Sequence, residues 1–175
     1  MFVNPEQNVA KLGLMEGMRV ADLGTGTGFY AKACSKRVGH TGRVYAVEVQ
    51  KDMVKKLEQD VKEWGISNID CIWGDIEKLG GTKIADSSMD AVIVANVLFQ
   101  AEDKIGLIDE VKRILDKNGK ILLVDRNVSL APNTHAKHYV VTADKATALF
   151  VDRGFKVEET IVISDHQYGI IFTHE

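Results

Sequence analysis

The stretch Val20-Ala21-Asp22-Leu23-Gly24-Thr25-Gly26-Thr27-Gly28-Phe29-Tyr30-Ala31 decides the fold. It begins as an apolar run, passes through three glycines at alternate positions, and continues over residues 29–38 with a helical pattern. That is a strand, a tight loop and a helix start, a geometry in which backbone approaches a ligand closely. The helix N-terminus adds free N–H donors. A glycine-rich loop alone also suits flavin and nicotinamide sites. A loop used only for packing would carry three destabilising glycines to no purpose.

Two acids narrow the reading. Asp22 lies two residues before Gly24, where a carboxylate would repel a pyrophosphate and welcome a cation. Glu48 follows a second apolar run, Val44-Tyr45-Ala46-Val47, where an acid can accept both ribose hydroxyls. With these residues in place the sequence resembles the class I S-adenosylmethionine-dependent methyltransferases. Val20 to Gly28 matches their first motif, and Glu48 falls where they hold the ribose. The resemblance extends over nearly the whole chain.

At 175 residues the chain suits one domain, residues 1–175, with a sizeable core. A net charge of -3 and the lack of a long Lys/Arg run give no footprint for nucleic acid. Cys34 and Cys71 are the only cysteines, which fits a reduced, cytoplasmic protein better than a disulfide framework. No apolar run is long enough for a membrane span, and the N-terminus lacks the pattern of a secretory signal.

Taken in order, Asn4-Pro5-Glu6 reads as a capped helix start running to about Leu12, with Gly13 ending it. Strands are expected at 19–23, 43–47, 69–73, 91–95 and 120–125, with Asn118-Gly119 as a turn before the fifth. Helices are expected at 29–38, 52–64, 102–115 and 143–152. The segment 77–88 reads as a loop with room for a short helix. Residues 155–163 and 167–173 alternate as two strands joined by a hairpin. Strands alternating with helices make an α/β fold with a mostly parallel sheet flanked on both faces. The resemblance implies seven strands in the order 3-2-1-4-5-7-6, closed by an antiparallel C-terminal hairpin.

The resemblance also implies roles. Gly24, Thr25, Gly26 and Gly28 form the loop under the methionyl part of S-adenosylmethionine, and Asp22 orients its ammonium directly or through water. Glu48 takes the ribose and Val49 flanks the adenine. Gly74-Asp75-Ile76, just past the third strand, resembles the adenine site; the bland alternative is a loop acid capping a short helix. Backbone near Asn96 faces the sulfonium. Methyl transfer is an in-line displacement, so positioning dominates and a base helps only when the acceptor must lose a proton. Base candidates are His135, His138 and His166, each of which also reads as a surface residue. His138 is preferred, with Tyr139 as a hydroxyl partner, because residues 132–142 resemble the loop before the last helix in small quinone- and arsenite-methyltransferase-like proteins.

Absences discriminate further. Asn96-Val97-Leu98-Phe99 is not the Asn/Asp-Pro-Pro-aromatic motif of amino-group methyltransferases. Arsenite methylation wants several thiols near the sulfonium. A metal-assisted catechol enzyme wants an Asp where Asn96 stands and an Asp-Asn pair where Asp125-Arg126-Asn127 stands, so no metal is expected. The short lid leaves the pocket open, to a large acceptor or to cover by a second subunit. Without a basic patch, a small or lipid-like acceptor is favoured over RNA. Two other classes compete: an NAD-dependent oxidoreductase, disfavoured by Asp22 and the closing hairpin, and a non-catalytic cofactor-binding subunit.

Overall fold

The computed structural model describes residues 4–127 and 140–175. Its strands are β1 (Arg19–Leu23), β2 (Arg43–Glu48), β3 (Ile69–Trp73), β4 (Met89–Ala95), β5 (Leu115–Arg126), β6 (Phe155–Ser164) and β7 (Gln167–His174). Its helices are α1 (Pro5–Ala10), α2 (Phe29–Val38), α3 (Lys51–Glu63), α4 (Lys104–Ile114) and α5 (Ala143–Val151). The strands form one sheet in the order β3-β2-β1-β4-β5-β7-β6. The first five run parallel, and β7 joins β5 and β6 antiparallel. The expected α/β architecture and strand order are therefore present.

The sheet is covered on both faces, which explains why β4 is continuously apolar from Ala91 to Ala95. Successive side chains of a strand point to opposite faces. Val92 and Val94 pack with α4 and α5, through Leu107, Val111 and Phe150. Ile93, between them, packs with α2 and α3, through Ala31, Cys34 and Leu57. Phe150 stacks on Phe172 with ring centres 4.5 Å apart, tying α5 to β7.

Three local expectations need correction. The first helix ends at Ala10, not Leu12, and residues 11–13 turn away while Leu12 stays buried. Helix α4 starts at Lys104 rather than residue 102, because the Asp103 side chain accepts from the Gly106 amide and sets the cap there. The Asn118-Gly119 turn does not precede β5 but lies within it. Met89 pairs with Leu115 and Ala91 with Lys120, so the extra residues of β5 bulge out of the ladder. In residues 77–88 there is no helix.

Parallel order brings the carboxyl ends of β1, β2, β3 and β4 to one edge. The order reverses between β1 and β4, and a crevice opens above that point, as open α/β sheets require.

Candidate cofactor site

The glycine loop is held from below. The Gly24 and Thr25 amides both donate to the Val47 carbonyl, at 2.9 and 3.0 Å, locking the loop to the end of β2. Two of its glycines are packing requirements. A Cβ on Gly24 would lie 2.5 Å from Val97 Cγ2, and one on Gly28 would run into Leu57 Cδ1. Gly26 shares their left-handed backbone, at φ +54°, but nothing lies within 4 Å of where its Cβ would sit. The space over Gly26 is open to a ligand.

Asp22 is buried beneath this loop. Its hydrogen bonds among the described residues both end on Oδ2, from the Thr25 hydroxyl at 2.6 Å and the Ala31 amide at 3.0 Å. It thereby fixes the loop to the first turn of α2. Burial pushes its carboxyl up to about 6; the two hydrogen bonds pull the other way, and the neighbouring Glu48 adds to the rise. Asp22 does not line either cavity described below. Its observed contacts act through the loop.

Glu48 does face the cleft. It is largely buried, and each oxygen holds one amide: Oε2 accepts from Gly26 at 3.2 Å and Oε1 from Gln50 at 3.0 Å. Each carboxylate oxygen has further lone pairs for a ligand's hydroxyls.

Two contiguous cavities meet at Glu48. One, about 600 Å³, runs past Val49, Asp75 and Ile76. The other, about 630 Å³, runs past Thr25, Gly26, Phe29, Tyr30 and Asn96. Gly24, Glu48, Gln50 and Gln100 border both. Asp75 accepts from the Glu77 amide at 3.0 Å and pairs with Lys78 at 3.1 Å, and these contacts hold its carboxyl below the usual range. Gly74 lines neither cavity; a Cβ there would stand 2.6 Å from the Gly81 carbonyl, so it serves the fold of its loop.

Asn96 ends β4 in the left-handed region at φ +57°, a conformation asparagine tolerates better than most residues. Its amide donates to the Val124 carbonyl at 2.7 Å. Its side-chain oxygen accepts from Gln167 at 2.8 Å and its carbonyl from Gln100 at 3.2 Å. Sequence reasoning singled out neither glutamine, since only the folded chain brings them to Asn96. Pro5 reaches the second cavity because α1 packs on α2, where Asn8 donates to the Tyr30 hydroxyl at 2.9 Å.

Of the base candidates, His135, His138 and Tyr139 lie outside the described residues. His166 is exposed in the hairpin turn and lines neither cavity. Asp125 is fully buried, with its oxygens taken by the Phe99 and Arg126 amides at 2.9 and 2.7 Å. Among the described residues no group of three His, Cys, Asp or Glu side chains is arranged for a metal ion.

Residues 14–162 match the family model described as a methyltransferase domain, and the chain belongs to that family. Its sheet order and closing hairpin are those of the class I S-adenosylmethionine-dependent methyltransferases. Among curated proteins it is 28% identical to an arsenite methyltransferase of Halobacterium salinarum over 82% of this chain. It is 25% identical to a demethylmenaquinone methyltransferase of a Geobacillus species over 69% of this chain. The chain spans 38% and 50% of those two proteins' lengths. Among solved structures, a SAM-dependent methyltransferase from Aquifex aeolicus superimposes with a TM-score of 0.87 at 25% identity, covering 97% of this chain and 89% of that one.

Proposed function

We propose that the protein binds S-adenosylmethionine in this crevice and moves its methyl group to a small organic acceptor. The observation that carries the reading is Glu48, a cleft-facing carboxylate that already grips the glycine loop at the junction of two cavities. Its spare lone pairs suit the paired hydroxyls of a ribose. The cavity with Val49, Asp75 and Ile76 then takes the adenine, and the cavity over Gly26 takes the methionyl part and the acceptor. The open space above Gly26, and the buried Asp22 beneath the loop with no cationic partner among the described residues, favour a cationic nucleoside over a diphosphate.

When bound, the cofactor supplies a methyl group on a sulfonium, an activated leaving group. The chain's own contribution is placement. Glu48 fixes the ribose, the open space over Gly26 receives the methionyl end, and the turn at Asn96 sets the floor beside the transferring carbon. In the second cavity Glu48 is the one charged side chain among the described lining residues. Such a wall suits an uncharged or apolar acceptor. His138, with Tyr139 beside it, is the proposed proton acceptor where the acceptor must lose a proton.

Arsenite is the less favoured acceptor. Arsenic(III) is a soft centre that prefers thiolate ligands. The chain's only two cysteines line neither cavity, and burial raises both thiols. No helix among the described residues is long and apolar enough to cross a membrane. A cytoplasmic site of action, and a second copy covering the open cleft, belong to the proposal.

The test uses methyl-labelled S-adenosylmethionine with a demethylated quinol, a catechol, a fatty acid and arsenite as acceptors. Label on an organic acceptor is expected. Label on arsenite alone would overturn the assignment of acceptor class.

A further inference from the structure

The loop between β3 and β4 carries Asp75 and Ile76 into the first cavity, yet residues 74–88 contain no helix or strand to stiffen them. One carboxylate from α4 does so. Glu110 is fully buried. Its Oε2 accepts from the Gly80 amide at 2.7 Å, and its Oε1 from the Thr82 amide at 3.1 Å and the Thr82 hydroxyl at 2.5 Å. Arg113, one turn on, supplies the countercharge at 2.8 Å and reaches on to Asp86. Between the two anchored residues, Gly81 accepts from the Asp75 amide at 3.2 Å. A Cβ on Gly81 would collide with the Asp75 carbonyl, so the two backbones lie in direct contact. The same loop is tied to α4 once more, where the Asp103 amide donates to Glu77 at 2.6 Å.

Helix α4 needs none of this for its own packing. Glu110 sits on the buried face with Leu107, Val111 and Ile114, where an apolar side chain would pack at least as well. Among the described residues, its bonds outside the helix all go to the loop.

We propose that Glu110 is a positioning residue for base selectivity: through Gly80, Gly81 and Thr82 it holds Asp75 and Ile76 where they distinguish adenine from other bases. The inference rests on the cofactor reading above and adds a residue that touches no cofactor. The Asp75 carboxylate accepts from the exocyclic amine only when the loop is held in this form.

The test compares S-adenosylhomocysteine with its deaminated analogue S-inosylhomocysteine by calorimetry. The wild-type protein prefers the adenosyl ligand by on the order of tenfold or more, since the analogue leaves a polar group of the site unpaired. Glu110→Gln turns one of the two acceptor oxygens into an N–H donor that faces a loop donor, and Thr82→Val removes one hydroxyl. Both shrink that preference to roughly threefold or less, while Thr82→Ser restores it. A preference unchanged in both variants, or an equal loss of affinity for both ligands, overturns the proposal. So does a wild-type protein that binds both ligands alike. If Glu110→Gln does not fold, Thr82→Val decides. A folded wild-type protein that binds neither ligand contradicts the cofactor reading instead.

Discussion

Asp22 and Glu110 are both buried carboxylates, and each lies under a loop that forms one side of the cleft. Glu110 meets a guanidinium and three loop donors. Burial alone would raise its pKa, but Arg113, the Thr82 hydroxyl and the loop amides together bring it down to about 2. Asp22 meets one hydroxyl and one amide and, among the described residues, no cation. Burial therefore wins there and carries it to about 6. Where the protein supplies the countercharge, the loop is finished before any ligand arrives. Beneath the glycine loop no cation among the described residues balances the charge.

The sharpest way to break this contrast is mutation of the two acids. Glu110→Ala strands the loop donors and leaves Arg113 with Asp86 as its one carboxylate partner among the described residues, and should cost about 3 kcal/mol in urea denaturation at pH 7. Asp22→Asn keeps an oxygen for both of its hydrogen bonds while removing a buried charge, so stability at pH 7 should hold or rise. A loss beyond about 1 kcal/mol in Asp22→Asn would mean that the charge itself stabilises the fold.

The pH dependence separates the pair next. The folded-state pKa of Asp22 stands above its ordinary 3.8, so the native state holds that proton longer. Its ionisation therefore lowers stability as pH rises from about 4 to about 6, by on the order of 3 kcal/mol. Glu110 is depressed, so its contribution is present above the ordinary carboxylate range near 4.5 and lost as pH falls toward about 2. Denaturation midpoints across both windows should flatten between pH 4 and 6 in Asp22→Asn. An unchanged slope there would contradict the raised value.

Smaller effects sharpen the same comparison at the cleft. Glu48→Ala should weaken S-adenosylhomocysteine binding by about 1–3 kcal/mol in calorimetry, through lost hydrogen bonds to a charged acceptor. Unchanged affinity would place the ribose elsewhere. Gly26→Ala should cost only about 1 kcal/mol of stability from its left-handed backbone, with no packing clash, yet reduce ligand affinity more. Gly28→Ala, whose Cβ meets Leu57, should do the reverse.

The sequence was most legible where structure is local. Val20 to Tyr30 announces a strand, a loop and a helix through composition alone, and Glu48 follows from its place after the second strand. Strand order came with the family likeness rather than from periodicity. Burial of Asp22 beneath the loop was not legible, because its side-chain direction is set by Thr25 and Ala31 after folding. The bulge in β5 was missed since Asn118-Gly119 looks the same inside a ladder as before one. Glu110 did leave a trace: an acid at the helical spacing of Leu107, Val111 and Ile114 occupies a position where burial demands a partner. That partner lies across the loop, at a sequence distance no pattern spans.

The central claim is that the cleft accepts a cationic nucleoside rather than a dinucleotide. Calorimetric titration of the folded protein with S-adenosylmethionine and, separately, NADH tests it most directly. The account predicts saturable one-to-one binding of the sulfonium and no heat of binding with NADH. Binding of NADH by protein that ignores the sulfonium would contradict it.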